Sequence, residues 1–260
     1  MSTQLFTRFR PAIVSYRKGN TRQEGASQVL PKEFLLERDG DLSVYYVPSD
    51  YVNPDAKVVL LGITPGLTQA VNAIESAQAA LAHGCSDQEA LMGVQRAAGF
   101  SGKMRGSLIK MLDAVGLQKR LGIASAAALF DAKASWLQAA SAVVFPVFLN
   151  GQNYNGTPAM TRHPLLIKLL TSHLVPLIKT LAQAIVIPLG PKPTQALDWD
   201  AQIHGIRPAI VLRGLPHPSG ANAERIAYFL GRKPRSKLSV KTDPDKLDEA
   251  KRRIIELLEA

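Results

Sequence analysis

Apolar residues along this chain fall into two spacings. Unbroken runs rich in Val, Ile and Leu occur at 58–61, 142–149, 184–189 and 209–212, and each reads as a strand buried on both faces. Elsewhere the apolar positions recur every three to four residues, which predicts helices at about 67–82, 87–98, 103–115 and 164–182. Ser86 and Glu89 form a capping box before the second helix, Gly116 ends the third, and Pro176 predicts a kink in the fourth. A further helix is expected from Glu224 to Leu230. Strands alternating with helices imply a parallel sheet covered on both sides. The expected fold class is α/β, a three-layer α/β/α arrangement around a central, mainly parallel four-stranded sheet.

That pattern occupies about 55–231. Residues 1–54 read as a basic, irregular extension with hairpin content around LSVYYV at 42–47. Residues 232–260 read as a basic linker followed by an amphipathic helix from about Pro244. With no internal repeat and no long low-complexity tract, a single domain over 1–260 is expected.

Charge adds a class of partner. In the 260 residues, 31 Lys and Arg against 21 Asp and Glu leave a formal charge of +10, which favours a polyanion such as nucleic acid or a membrane surface. The one cysteine, Cys85, excludes an internal disulfide and any four-cysteine zinc site or iron–sulfur cluster. No metal and no cofactor are expected. The first residues contain no unbroken apolar run, so neither a signal peptide nor a membrane span is expected there, and a reducing cytoplasm fits. Their Arg-rich, acid-poor character is mildly that of a transit peptide, but Pro11 is expected to interrupt the helix such a signal needs.

Candidate chemistry lies in two turns. Gly62-Ile63-Thr64-Pro65-Gly66 follows the first strand and feeds a helix, the place where open parallel sheets bind ligands. Its glycines permit close backbone approach, and the free amides of the next helix suit an anion. A helix-entry turn without a ligand has the same composition. The fourth strand also ends in a rigid turn, Gly214 to Asn222, in which His217 stands between two prolines. Thr64 and His217 therefore occupy equivalent ends of two strands and are expected to face one crevice.

GITPG followed about 150 residues later by HPSGAN resembles the two signature motifs of the uracil-DNA glycosylase superfamily. The stretch AGFSGKMRGSLIKMLDAVGL, 98–117, is similar to a segment of its iron–sulfur branch, and FPVFLNGQNYNGTP, 145–158, is similar to its strand-then-Asn segment. The resemblance covers roughly 55–231. It implies a DNA glycosylase that excises uracil or a related deaminated base. By that resemblance His217 donates a hydrogen bond to the departing base and Thr64 holds the attacking water. Gly62, Ile63, Pro65 and Gly66 line the base, Phe100 stacks on it and Asn150 reads its edge, with Asn153 and Asn155 as alternatives. Ser219, Gly220, Asn222 and Arg225 meet the DNA backbone.

Three departures matter. Family branches carry Asp, Asn, Glu or Ala around the position of Thr64, and a threonine has neither charge nor a suitable base. No cluster can form. Where the best-known branch inserts a leucine wedge, this chain has Ala221, so single-stranded DNA is the expected substrate, bound by a monomer. Arg232, Lys233, Arg235, Lys237 and Lys241 are expected near the crevice edge. Two other readings stay open: a member of the same fold that binds a base or single strand without cutting it, and a phosphate- or nucleotide-binding α/β protein.

Overall fold

The structure, a computed structural model, describes residues 4–19, 25–98 and 103–260. Helix α1 (Gln4–Ser15) buries Phe6, Phe9 and Ile13 along one face and runs through Pro11 instead of breaking there. An interior proline costs about 3 kcal/mol, whereas each large apolar side chain buried returns about 1.5–3 kcal/mol. Burial wins, with Phe9 stacked between Phe34 and Tyr46. After the short α2 (Ala26–Val29) come β1 (Leu35–Asp39) and β2 (Leu42–Tyr45), an antiparallel hairpin turned at Gly40.

The next stretch follows the sequence pattern closely. Strand β3 (Val58–Gly62) leads through the Thr64 turn into α3 (Leu67–Ala82), then α4 (Asp87–Ala98), α5 (Lys103–Ala114) and α6 (Leu117–Leu121). The expected capping box is made: Ser86 N–H donates to Glu89 Oε2 at 2.8 Å, and Glu89 N–H donates to Ser86 Oγ at 3.3 Å. Gly116 takes a left-handed φ of 87° between α5 and α6, where a Cβ would be strained.

The run at 142–149 is not one strand. The parallel sheet instead uses β4 (Leu137–Ser141), just ahead of it, while its last residues form β5 (Val147–Leu149), paired with β6 (Gln152–Asn153) in the other sheet. Residues 142–146 carry the chain from one sheet to the other. Their start still bonds the Thr64 turn, as Ala142 N–H donates to Gly62 O and Val143 N–H to Ile63 O, both at 2.9 Å.

The helix expected at 164–182 is α7 (Pro164–Leu169), a π turn (Leu170–Leu174) and α8 (Val175–Thr180), with Pro176 in the first turn of α8. Strand β7 (Ile185–Pro188), α9 (Pro191–His204), β8 (Ile210–Val211), α10 (Ala223–Phe229) and α11 (Pro244–Glu259) complete the order.

The fold is mixed α/β. One four-stranded sheet, β4-β3-β7-β8, is wholly parallel; the other, β1-β2-β5-β6, is antiparallel. The N-terminal extension is therefore structural, since it supplies two strands of the second sheet. Along β3, Val59 and Leu61 belong to one apolar cluster with α1, α3 and α4, whereas Val58 and Leu60 belong to another with α5, α10 and α11. That period-two split buries both faces of the strand. Among the described residues, no helix is long and apolar enough to cross a membrane, and no group of three His, Cys, Asp or Glu stands ready to hold a metal ion.

Candidate functional site

Parallel strands place all their carboxyl ends at one edge, so the turns after β3, β7 and β8 are neighbours there. The Thr64 hydroxyl is engaged twice at that edge. Its Oγ1 donates to Phe145 O at 2.7 Å and accepts from Val147 N–H at 3.1 Å, tying the turn to the segment that crosses between sheets. Gly66 N–H donates to Gln69 Oε1 at 3.0 Å, and Leu67 N–H to Asn153 Oδ1 at 2.8 Å. Two amides at the start of α3 are thus already satisfied by side chains, which weakens its use as an anion cradle. A Cβ on Gly62 or Gly66 would meet only ordinary contacts, 3.7 and 3.4 Å away, so neither glycine is demanded by the protein's own crowding.

His217 reaches the same edge from β8. The flanking Pro216 and Pro218 are buried, and His217 itself is half-buried. Gly190, at φ 94° after β7, lies against it, since a Cβ there would stand 3.8 Å from His217 Cβ. The Ser219 N–H donates to His217 Nδ1 at 3.3 Å, and burial holds the imidazole below its ordinary pKa. The ring is therefore neutral at pH 7, with its proton on Nε2. β8 and β3 are separated by β7, so the His217 and Thr64 turns start two strand spacings apart, on the order of 10 Å.

The backbone-contact residues bond mainly to one another. Asn222 Nδ2 donates to Ser219 Oγ at 3.3 Å, and Arg225 donates to Asn222 Oδ1 at 2.7 Å and Lys241 O at 2.8 Å. Gly220 opens a short 3-10 turn, and Gly220 and Ala221 are exposed. Phe100 lies outside the described residues.

Asn150 is placed elsewhere. With Gly151 it forms the two-residue turn between β5 and β6, both in the left-handed region, φ 50° and 75°. That is the conformation for which hairpins select Asn-Gly. Its N–H donates to Asp41 O at 2.9 Å, and it lines a polar hollow with Arg38, Asp41 and Ser43. Of the three asparagines, Asn153 is the one against the Thr64 turn, while Asn155 Oδ1 accepts from Thr157 N–H at 3.2 Å in a local turn. Lys192, at the start of α9, was not indicated by any motif. Its aliphatic stem lies over Gly156, where a Cβ would come within 2.7 Å of it.

Beside the Thr64 turn is a partly open cleft of about 70 Å³, lined by Tyr51, Pro65, Gln69, Ala140, Ser141 and Val144 among others. His217 is not among its lining residues. Behind it lies a smaller cavity of about 30 Å³, walled by Asp50, Gln138, Ser141 and His173. Nothing in the sequence around Asp50 pointed to it.

A curated relative covers most of the chain. The uncharacterized protein YoxB of Bacillus subtilis (strain 168) is 38% identical over 206 residues, spanning 78% of this chain and 80% of that protein. The chain belongs to the YoxB family. No family model and no solved structure matches it. For the YoxB family, then, the chemistry has to be read from the residues at this sheet edge.

Proposed function

We propose that the protein is a monofunctional DNA glycosylase that excises uracil or a related deaminated base from single-stranded DNA by hydrolysing the N-glycosidic bond, with no metal or other cofactor. The observation that carries this reading is His217. Breaking the bond leaves negative charge on the departing base, and a neutral imidazole whose Nδ1 is committed to Ser219 N–H keeps Nε2–H as a donor of fixed tautomer. A preorganised donor to developing negative charge is worth about 2.7–4 kcal/mol. The shared edge of the two motif turns and the chain's charge of +10 agree with a base-and-phosphate ligand. In this reading the helices on the two apolar clusters form the outer layers of a three-layer α/β/α domain, acting as a monomer in the cytoplasm.

A second reading has its own support. The Thr64 hydroxyl already makes one donated and one accepted bond, so it is poorly free to hold a water. That favours a base- or single-strand-binding protein that does not cut.

Single-stranded oligonucleotides carrying uracil, hypoxanthine or xanthine, treated with protein and then alkali, separate the two. Strand breakage at the modified base, reduced on the order of 10²-fold or more by His217→Ala, is expected of the glycosylase. Binding without breakage at any of the three bases belongs to the second reading.

A further inference from the structure

The polar hollow on the antiparallel sheet measures about 250 Å³ and is walled by Ser27, Arg38, Asp41, Ser43, Tyr45 and the Asn150-Gly151 turn. Neither Thr64 nor His217 lines it. The sheet register assembles its floor. Arg38 of β1 stands opposite Ser43 of β2, so the two side chains leave the same face, and Tyr45, two residues farther along β2, leaves it too. Loops close its rim. Asn150 N–H donates to Asp41 O at 2.9 Å, and Ala26 N–H donates to Gly151 O at 3.2 Å. These two bonds tie the turn between β1 and β2, the turn between β5 and β6, and the start of α2 into one frame.

The polar side chains of this frame are unspent. Ser43 is 6% and Tyr45 3% exposed, yet neither hydroxyl has a hydrogen-bond partner among the described residues. A hydroxyl buried without a partner is costly, and the hollow is the space in which these two can meet one. Arg38 and Asp41 line the same hollow, but their charges pair neither with each other nor with any other described residue. The Asn150 side-chain amide is also without a partner among them.

This set of groups selects a ligand. A simple anion is repelled by Asp41 and a simple cation by Arg38, so net charge of either sign is disfavoured. A sugar ring has no platform, because the one ring in the wall, Tyr45, is buried and packs edge to face against Phe148 with centroids 5.7 Å apart. A zwitterion suits both charges. Its carboxylate matches the planar two-donor fork of Arg38 and its ammonium group the Asp41 carboxylate, which leaves the two buried hydroxyls and the Asn150 amide for its other polar atoms. The volume lies below the roughly 300–1,000 Å³ of drug-sized sites, which fits a small molecule of this kind.

We propose that the hollow is a binding site for a free α-amino acid, held by Arg38 at its carboxylate and by Asp41 at its ammonium group. The site is separate from the edge that carries Thr64 and His217, and it stands whether or not the protein cuts DNA. The test is equilibrium dialysis of the full chain against each of the common α-amino acids in radiolabelled form at pH 7, with labelled acetate, methylamine, inorganic phosphate and sorbitol as comparison arms. At least one amino acid should be retained at millimolar concentration, and none of the four comparison compounds should match it. Arg38→Ala and Asp41→Ala should each weaken retention by on the order of 10-fold or more, the loss of one charge-assisted pair. Arg38→Lys, which keeps the charge without the fork, should fall between wild type and Arg38→Ala. Both side chains are exposed, so thermal unfolding of these variants should match wild type. Retention of no amino acid by wild type overturns the proposal whatever the variants do. Retention unchanged by Arg38→Ala or by Asp41→Ala overturns it as well, and so does phosphate or sorbitol held more tightly than every amino acid.

Discussion

Thr64 shows how one hydroxyl can join two sheets. It bridges the turn after β3 to residues 145 and 147, and its removal leaves a part-buried N–H and C=O without their partner. Thr64→Val, which keeps the shape, should cost about 1–3 kcal/mol in denaturant unfolding, whereas Thr64→Ser should stay close to wild type. A valine variant as stable as the parent would show that the bridge is not structural. Asp50 acts in the opposite sense. Its folded-state pKa of about 6 exceeds its ordinary 3.8, so the folded protein binds that proton more tightly than the unfolded chain. This contribution to stability is full below about pH 4 and is lost as pH rises through 6, an effect on the order of 3 kcal/mol at most. Asp50→Asn should therefore be more stable than wild type above pH 6, with the gain vanishing below pH 4. No gain at pH 7 in thermal unfolding would mean the carboxyl is adequately solvated. Neither role was legible in the sequence, because a threonine in a Gly/Pro turn does not reveal which backbone groups it meets, and Asp50 carries no motif.

Elements were read best where a local signal marks their ends. The capping box of α4 and the glycine after α5 fix their boundaries without reference to the rest of the fold. Strand β4 escaped notice because its sequence, LQAAS, lacks branched apolar residues. It is held by its ladder to β3 and by the buried Gln138 amide, which accepts from Asn53 N–H at 2.7 Å and donates to Tyr51 O at 3.0 Å. Asn150 was readable in principle, as Asn-Gly between short apolar and polar runs is a hairpin signal. The His217 turn was placed correctly after β8, but its docking against α11 was not visible. Gly214 has φ 95°, and a Cβ there would stand 2.5 Å from Ala250 Cβ. Gly214→Ala should therefore cost about 2–5 kcal/mol from backbone strain and overpacking together, and Ala250→Gly in the same chain should recover the steric part. A loss under about 1 kcal/mol in denaturant unfolding would mean that α11 moves freely aside.

For the whole molecule, the net charge of +10 led to the expectation of a polyanion but carried no information on where one would lie. The basic linker is partly neutralised on folding: Lys233 pairs with Glu224 at 2.6 Å and Arg235 with Asp245 at 2.6 Å. Glu224 also accepts from Ser239 and Thr242, and these bonds, the one from Lys233 foremost, hold its carboxyl down at about 2. The acids that fasten the linker come from α10 and α11, so a window of sequence without acids still folds into an ion-paired segment. His217 then remains the centre of the functional reading. Release of free uracil from a single-stranded oligonucleotide, compared between wild type and His217→Ala at equal binding saturation, tests it most directly. Wild type should release the base, and the alanine variant should do so more slowly by on the order of 10²-fold or more. Equal rates in the two proteins, or tight binding with no release by wild type, would refute a catalytic role for this histidine.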